Sequence, residues 1–221
     1  MHQIIENYFN AQIIREAFPD VLQGFWVTVL AALSIIILGL GFGLGFALLR
    51  CINNRILNAL IRFYIEIFRT MPQLVVLIFI YFGLPYAGIR LSAFFSTVVA
   101  LSAVLAAFSA EIFWTAIVAV PRGQWEAAVA LGFRRSQSLF FFILPQALRL
   151  ALPLVTNRMI AITKGTAFGV AVSLQETLGS AQSVMAIKAN PSPLILATFF
   201  YLLFFFPLVM FSRYTERHFS R

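Results

Sequence analysis

Charge is what this chain has least of. Only 11% of its 221 residues are Asp, Glu, Lys or Arg, against 61% hydrophobic and 25 Phe. A water-soluble domain carries about a quarter charged residues, so too little polar surface is available here to cover a fold in water. The charges are also absent from long stretches: residues 25–49, 70–89, 91–110 and 191–212 hold none. Each stretch reaches the ~20 apolar residues that carry a helix across about 30 Å of hydrocarbon. The alternation of polar and apolar residues that marks membrane strands is missing, which excludes a barrel. Cys51 is the only cysteine, so no disulfide forms within the chain. It is read as a small apolar residue at the inner end of the first span. A Gly-x-x-x-x-Gly-Lys-Ser/Thr phosphate loop is absent too, so nothing here hydrolyses ATP.

What is present predicts an all-α polytopic membrane protein of about five transmembrane helices, at about 25–49, 68–89, 91–114, 150–174 and 191–212. Residues 1–20 contain Glu6, Arg15, Glu16 and Asp20. They lack the basic start and short apolar core of a cleaved signal, and are expected to form an external or interfacial segment. Residues 21–213 form one membrane domain and 214–221 a tail. The fourth span carries Asn157, Arg158 and Lys164. A charge at the centre of a span costs roughly 2.5–3.5 kcal/mol on insertion scales, so this helix is expected to face protein or an aqueous path.

The net charge of +8 comes from 16 basic and 8 acidic residues, and its distribution speaks against nucleic acid. Arg50, Arg55 and Arg62 follow the first span, Arg122, Arg134, Arg135 and Arg149 the third, and Arg213, Arg217 and Arg221 the fifth. Only Arg15, Arg90 and Lys188 fall on the other side. Such a bias orients a membrane protein with its amino terminus out and its carboxyl terminus in.

Local patterns add detail. Gly39, Gly41, Gly43 and Gly45 give two overlapping small-xxx-small patterns, which serve packing within the subunit or a dimer contact. Glu66 and Arg69 stand three apart on one helical face, where they can form a structural ion pair or a gate. Pro72 follows as a local kink, and Pro85 with Gly88 makes an external turn. The loop at about 120–146 is expected to face the cytoplasm. Pro121 and Gly123 end the preceding helix, Gln124–Leu131 forms a short helix with small Ala127, Ala128 and Ala130, and Gly132 lets the chain turn. A Phe-rich piece at 139–143 returns to the membrane and stops at Pro145. A shaped helical device of this kind, in a chain without a soluble domain, suits docking to a cytoplasmic partner.

Glu126-Ala127-Ala128, Gly132 four residues on, and Ile143-Leu144-Pro145 beyond it resemble the EAA loop of permease subunits in ATP-driven, binding-protein-dependent (ABC) importers. The flanks resemble the polar amino acid uptake branch: Tyr64-Ile65-Glu66-Ile67-Phe68-Arg69 with Pro72, residues 79–85, Ala110-Glu111-Ile112, Arg122-Gly123-Gln124-Trp125, Leu144-Pro145-Gln146-Ala147, and Lys164 with Thr166. The likeness runs from about Gly24 to the end. It implies a type I permease fold, carried by a non-catalytic subunit in the bacterial inner membrane. The loop is then a coupling helix in which Gln124, Glu126, Ala127, Ala128, Gly132 and Pro145 meet a cytoplasmic ATPase dimer. It also implies ATP acting only through that partner, no cofactor on the chain itself, an external solute-binding protein, and a second copy or a homologous permease.

Three departures stand out. Trp114 occupies a position where the branch commonly has Arg, Thr70-Met71 stand before Pro72 where Gly-Thr is usual, and Gly165 follows Lys164 where Asp is usual. The candidate path residues are Glu66, Arg69, Asn157, Arg158, Lys164 and Thr166. Arg158 and Lys164 either line the path and favour carboxylate-bearing cargo, or pair with Glu66, Glu111 or Glu176, or snorkel to an interface. A related small carboxylate compound is the nearest alternative cargo. A secondary transporter would usually show inverted repeats and mid-membrane acids, and neither is visible.

Overall fold

The computed structural model describes residues 8–219, and among them every regular element is helical. The first helix, α1 (Ala11–Arg50), has 40 residues, about 60 Å at 1.5 Å per residue, twice the hydrocarbon thickness. It starts where the Asn10 side chain accepts from the backbone N–H groups of Gln12 and Ile13. It runs unbroken through Pro19 and through the boundary expected at residue 20. The expected segment 1–20 therefore divides: residues 11–20 belong to the spanning helix, and 1–7 lie outside the described residues.

Two helices replace the expected second span. α2 (Arg55–Thr70) and α3 (Gln73–Ile78, prolonged by tighter and wider turns to Ala87) meet at a bend of 109°. Met71 precedes a proline, which disfavours the helical backbone, and it is extended at φ −77°, ψ 136°. Pro72 is thus a break, sharper than the local kink expected of it.

α4 (Ala93–Ala119) is the central rod, and more than half of it is buried. It lies against α1, where Gly39 and Gly43 bring the two backbones together. A Cβ on Gly43 would fall 1.9 Å from the Ser109 hydroxyl, and one on Gly39 would fall 2.7 Å from Leu105. Ser109 Oγ donates to Leu105 O (2.7 Å) and to Gly39 O (3.1 Å). Gly41 and Gly45 have open space around them. The two glycine patterns are therefore different: one is spent inside the subunit and the other faces away.

Beyond α4 come α5 (Arg122–Ala130), α6 (Arg135–Ser138), α7 (Leu144–Thr163, continued as a 3-10 helix to Val172), α8 (Thr177–Lys188) and α9 (Ser192–Phe219). The chain does not stop at Pro145. A π turn over Leu139–Ile143 joins α6 to α7, so that one helical run reaches from Arg135 to Val172. Proline has no N–H to give to the preceding turn, and the wider turn absorbs that loss. The fourth span therefore begins earlier than expected.

Among the described residues, four helical runs are long and apolar enough to cross a membrane, and α2 with α3 makes a fifth if the bent pair counts as one. Buried apolar clusters lie at three levels. Ala17, Val21, Ala181 and Phe200 pack at one end, Ile35, Leu77, Leu101 and Leu105 in the middle, and Phe113, Ile117, Leu139 and Ile143 at the loop end.

The α1–α4 contact makes a testable distinction. Gly43→Val forces overpacking between the two rods and should destabilise the folded chain by about 1–3 kcal/mol. Gly41→Val points into open space and should leave stability unchanged. Thermal unfolding of both purified variants in detergent checks this; equal losses would show that the α1–α4 approach is not what holds the core.

Candidate coupling and translocation sites

The loop helix α5 is built to end sharply. Gly132 adopts φ +87°, a left-handed backbone that side chains resist. Its N–H donates to Val129 O (2.9 Å), and Phe133 N–H reaches back to Ala128 O (3.2 Å), which closes the helix in a Schellman turn. Ala128 faces inward and is buried, and Trp125 packs on the Phe113–Ile117–Leu139 cluster. Phe133 meets Phe142 edge-on at 4.9 Å. Gln124, Glu126, Ala127 and Gly132 stay exposed, and Pro145 is also exposed at the start of α7. Gln146 ties the two limbs together, donating to Phe142 O (2.8 Å) and more weakly to Gln124 Oε1 (3.4 Å). Of the six expected coupling residues, five are thus presented outward and Ala128 anchors them.

Just above this loop, Arg50 closes α1 with an ion pair to Glu111 of α4 (2.8 Å), its guanidinium 4.4 Å from the Trp114 ring centroid. Trp114, the departure from the family pattern, supplies the aromatic floor for that pair. Glu111 is thereby occupied and does not serve Arg158 or Lys164. Cys51, the C-cap of α1, is half-buried, and burial pushes its thiol up.

The path candidates are placed differently from one another. Arg55, Asn58, Arg62, Glu66 and Arg69 recur every three or four residues, so they form one polar stripe on α2. The opposite face packs Ile61 and Ile65 on Ala110, and Tyr64 donates to Ala103 O (2.8 Å). Glu66 and Arg69 share the stripe but form no ion pair among the described residues, because Arg69 instead lies 5.5 Å from the Phe108 ring centroid. Arg158 of α7 lies 4.3 Å from the same ring. Arg158 and Asn157 line an open cleft of about 310 Å³ with Ile112, Leu154 and Ala161. Lys164 sits apart, 5.9 Å from the Phe205 ring centroid on α9. Thr166 is fully buried with no hydrogen-bond partner for its hydroxyl. The structure therefore gathers Arg69 with Arg158 and holds Lys164 on a different ring.

One polar cluster has no counterpart among the sequence candidates. Glu176, fully buried, caps α8 by accepting from Gly179 N–H (2.9 Å), while its other oxygen accepts from Tyr201 (2.5 Å) and Thr28 (3.1 Å). Thr28 also meets Thr177 Oγ1 at 2.7 Å. The knot ties α1, α8 and α9 together. Its only signals in the sequence are solitary polar residues, Thr28 and Tyr201, within apolar runs.

The described residues thus form an all-helical unit with several membrane-length helices, a small-faced helix outside them and cations on its exposed flank. The chain belongs to the family described as binding-protein-dependent transport system inner membrane component, whose family model matches residues 36–221. Such subunits are non-catalytic, and ATP hydrolysis belongs to a separate ATPase subunit. Among relatives, it is 35% identical to a probable amino-acid ABC transporter permease protein, YckA of Bacillus subtilis (strain 168), over 81% of this chain and 79% of that one. It is 32% identical to the arginine transport system permease protein ArtQ of the same organism, with 95% of each chain covered. The fold superposes on a crystal structure of an amino acid ABC transporter with histidines at TM-score 0.82, with 27% identity, 92% of this chain and 95% of that chain.

The knot is testable through pH. Burial pushes the Glu176 carboxyl above the ordinary glutamate range, against the pull of hydrogen bonds from Tyr201, Gly179, Leu178 and Thr28. A carboxyl with a raised folded value favours folding in its protonated form. That contribution is complete below the unfolded value of about 4.3 and is lost as pH rises through the folded value. Glu176→Gln is neutral throughout and should flatten this slope. Thermal unfolding from about pH 4 to about pH 8 reads it; parallel curves for wild type and variant would overturn the assignment.

Proposed function

We propose that this chain forms half of the membrane pathway of an ATP-driven importer for a polar amino acid. In this reading it receives cargo from an external solute-binding protein and is driven by a cytoplasmic ATPase dimer. The support that carries the proposal is α5: an exposed, sharply terminated helix with Ala127 outward, on a chain whose relatives include permeases described as carrying amino acids, glutamine and arginine. Small side chains let a cleft wall of the ATPase close on the helix, and the Schellman turn fixes the angle at which it is offered. Closure of the ATPases moves α5, and the spans follow as rigid bodies between outward and inward access.

The basic residues at 50–62, 122–149 and 213–221 support an orientation with the loop and carboxyl terminus inside and the amino terminus outside; the membrane in this reading is a bacterial inner membrane. The α2 stripe supports a paired arrangement. Arg55, Arg62, Glu66 and Arg69 are exposed on the single subunit, and lipid does not accommodate such a row. A second copy or a homologous permease facing it encloses an aqueous path. The chain itself carries no cofactor in this reading, and ATP acts through the partner.

Ala127→Glu provides the test, because Ala127 is solvent-exposed and its replacement leaves the fold intact. An unpaired charge in a docked interface costs several kcal/mol, so ATPase co-purification and ATP-dependent amino acid uptake should fall by roughly tenfold or more. Membrane insertion should be unchanged. Normal uptake with retained ATPase would remove α5 from the coupling role.

A further inference from the structure

We infer that Arg69 and Arg158, gathered on the Phe108 ring beside Asn157, form a binding site for the carboxylates of an anionic amino acid. The inference rests on the amino acid reading above and adds the charge class of the cargo.

The position fits a transport site. Phe108 lies 12 residues before Val120 on α4 and Arg158 lies 13 residues after Pro145, so each is about 18–20 Å from the loop end, near the middle of a ~30 Å hydrocarbon layer. Arg69 closes α2 immediately before the 109° break at Met71 and Pro72. Transport sites recur at the midplane beside interrupted helices.

The electrostatics point to an anion. Two guanidinium groups from separate helices, α2 and α7, converge on one ring of a third, 5.5 and 4.3 Å from its centroid. A ring face attracts a cation but supplies no negative charge to neutralise it. Neither guanidinium has an ion-pair partner among the described residues. The acids in reach by sequence are accounted for: Glu111, one turn from Phe108, is held by Arg50 at 2.8 Å. Glu176 is closed within its own knot. Glu66 is alone against Arg69 and Arg158, which leaves one positive charge in excess there. A zwitterion with a neutral side chain brings no net charge to this site. A cargo with a second carboxylate brings the missing anion, and planar guanidinium forks suit carboxylates. The cleft of about 310 Å³ lined by Asn157 and Arg158 gives such a small molecule room and an amide partner.

The test uses the importer complex isolated with this chain in lipid nanodiscs, without its binding protein. L-glutamate, L-glutamine and L-lysine are titrated by calorimetry, and unliganded melting temperature reports on folding. Glutamate should bind about tenfold or more tighter than lysine. Arg158→Gln and Arg69→Gln should each weaken glutamate by about tenfold, and Arg158→Lys should lose less. Equal binding of lysine, unchanged glutamate affinity in both Gln variants, or no binding of any of the three overturns the site. ATP-dependent uptake of amino acids is measured separately, so that loss of the charge preference with uptake intact refutes this site alone. Should Arg158→Gln merely break up the complex while glutamate leaves wild type unaffected, the arginines pair with the neighbouring permease and the inference falls.

Discussion

A polar group inside hydrocarbon must find its partner within protein, and the contact between α1 and α4 is where this chain meets that demand most tightly. Ser109 has its hydroxyl returned to Leu105 O of its own helix and extended to Gly39 O of the neighbour. That bridge is possible only because Gly39 and Gly43 carry no side chain there. With little hydrophobic drive between helices in lipid, close packing and such small bridges set the geometry. α7 also packs on α4, and α8 and α9 close on α1, so the later spanning helices are built against this pair.

The same demand sorts the remaining polar residues into two groups. Arg50 with Glu111, and Glu176 with Tyr201, Thr28 and Thr177, are closed within the subunit and fasten its two ends. The α2 stripe, Asn157, Arg158 and Lys164 are left open on the outside of a single chain. Open charges at mid-membrane depth are costly in lipid and require either a water-filled path or a facing protein. The division thus separates residues that build the subunit from those that meet what lies beyond it. It also explains why Glu111 on α4 and Arg158 on α7, each close to Phe108, belong to different groups.

Much of this was legible in the sequence because hydrocarbon imposes length and polarity directly. Residues 25–49, 91–110 and 191–212 are apolar for a physical reason, and all but the first one or two residues of the latter two lie inside a long helix. The loop helix α5 was legible through turn chemistry, since Gly132 is where a left-handed residue is needed. What composition could not show was geometry between elements. The 109° bend at Pro72 and the π turn ahead of Pro145 both come from proline, but the sequence alone does not say whether a proline breaks a helix or is absorbed. The expected Glu66–Arg69 pair followed from spacing on one helix, whereas Phe108 on another helix takes the arginine. Phe108 itself is one Phe among 25 and carries no mark.

α4 joins the two candidate sites through one uninterrupted element. Its 27 residues run from Ala93 to Ala119, and Val120 and Pro121 lead directly into α5. Phe108, which holds the two arginines, is one turn from Glu111, and Glu111 is one turn from Trp114, on which Arg50 rests. α7 makes the same connection from the other limb, since it begins at the π turn packed under α5 and carries Arg158 in its middle. An unbroken helix does not shorten, so a shift of α5 moves α4 and α7 as bodies. The ring of Phe108 and the guanidinium of Arg158 then stay together only if both helices move alike. Arg69 sits on α2, which is fastened to α4 through Ile61, Ile65 and the Tyr64–Ala103 hydrogen bond and has no link of its own to α7. If α5 couples as proposed, the pair of arginines is the place where a shift of α7 against α4 and α2 would change the spacing of charges. In a transporter, cargo held between groups on separately moving elements is released when those elements part.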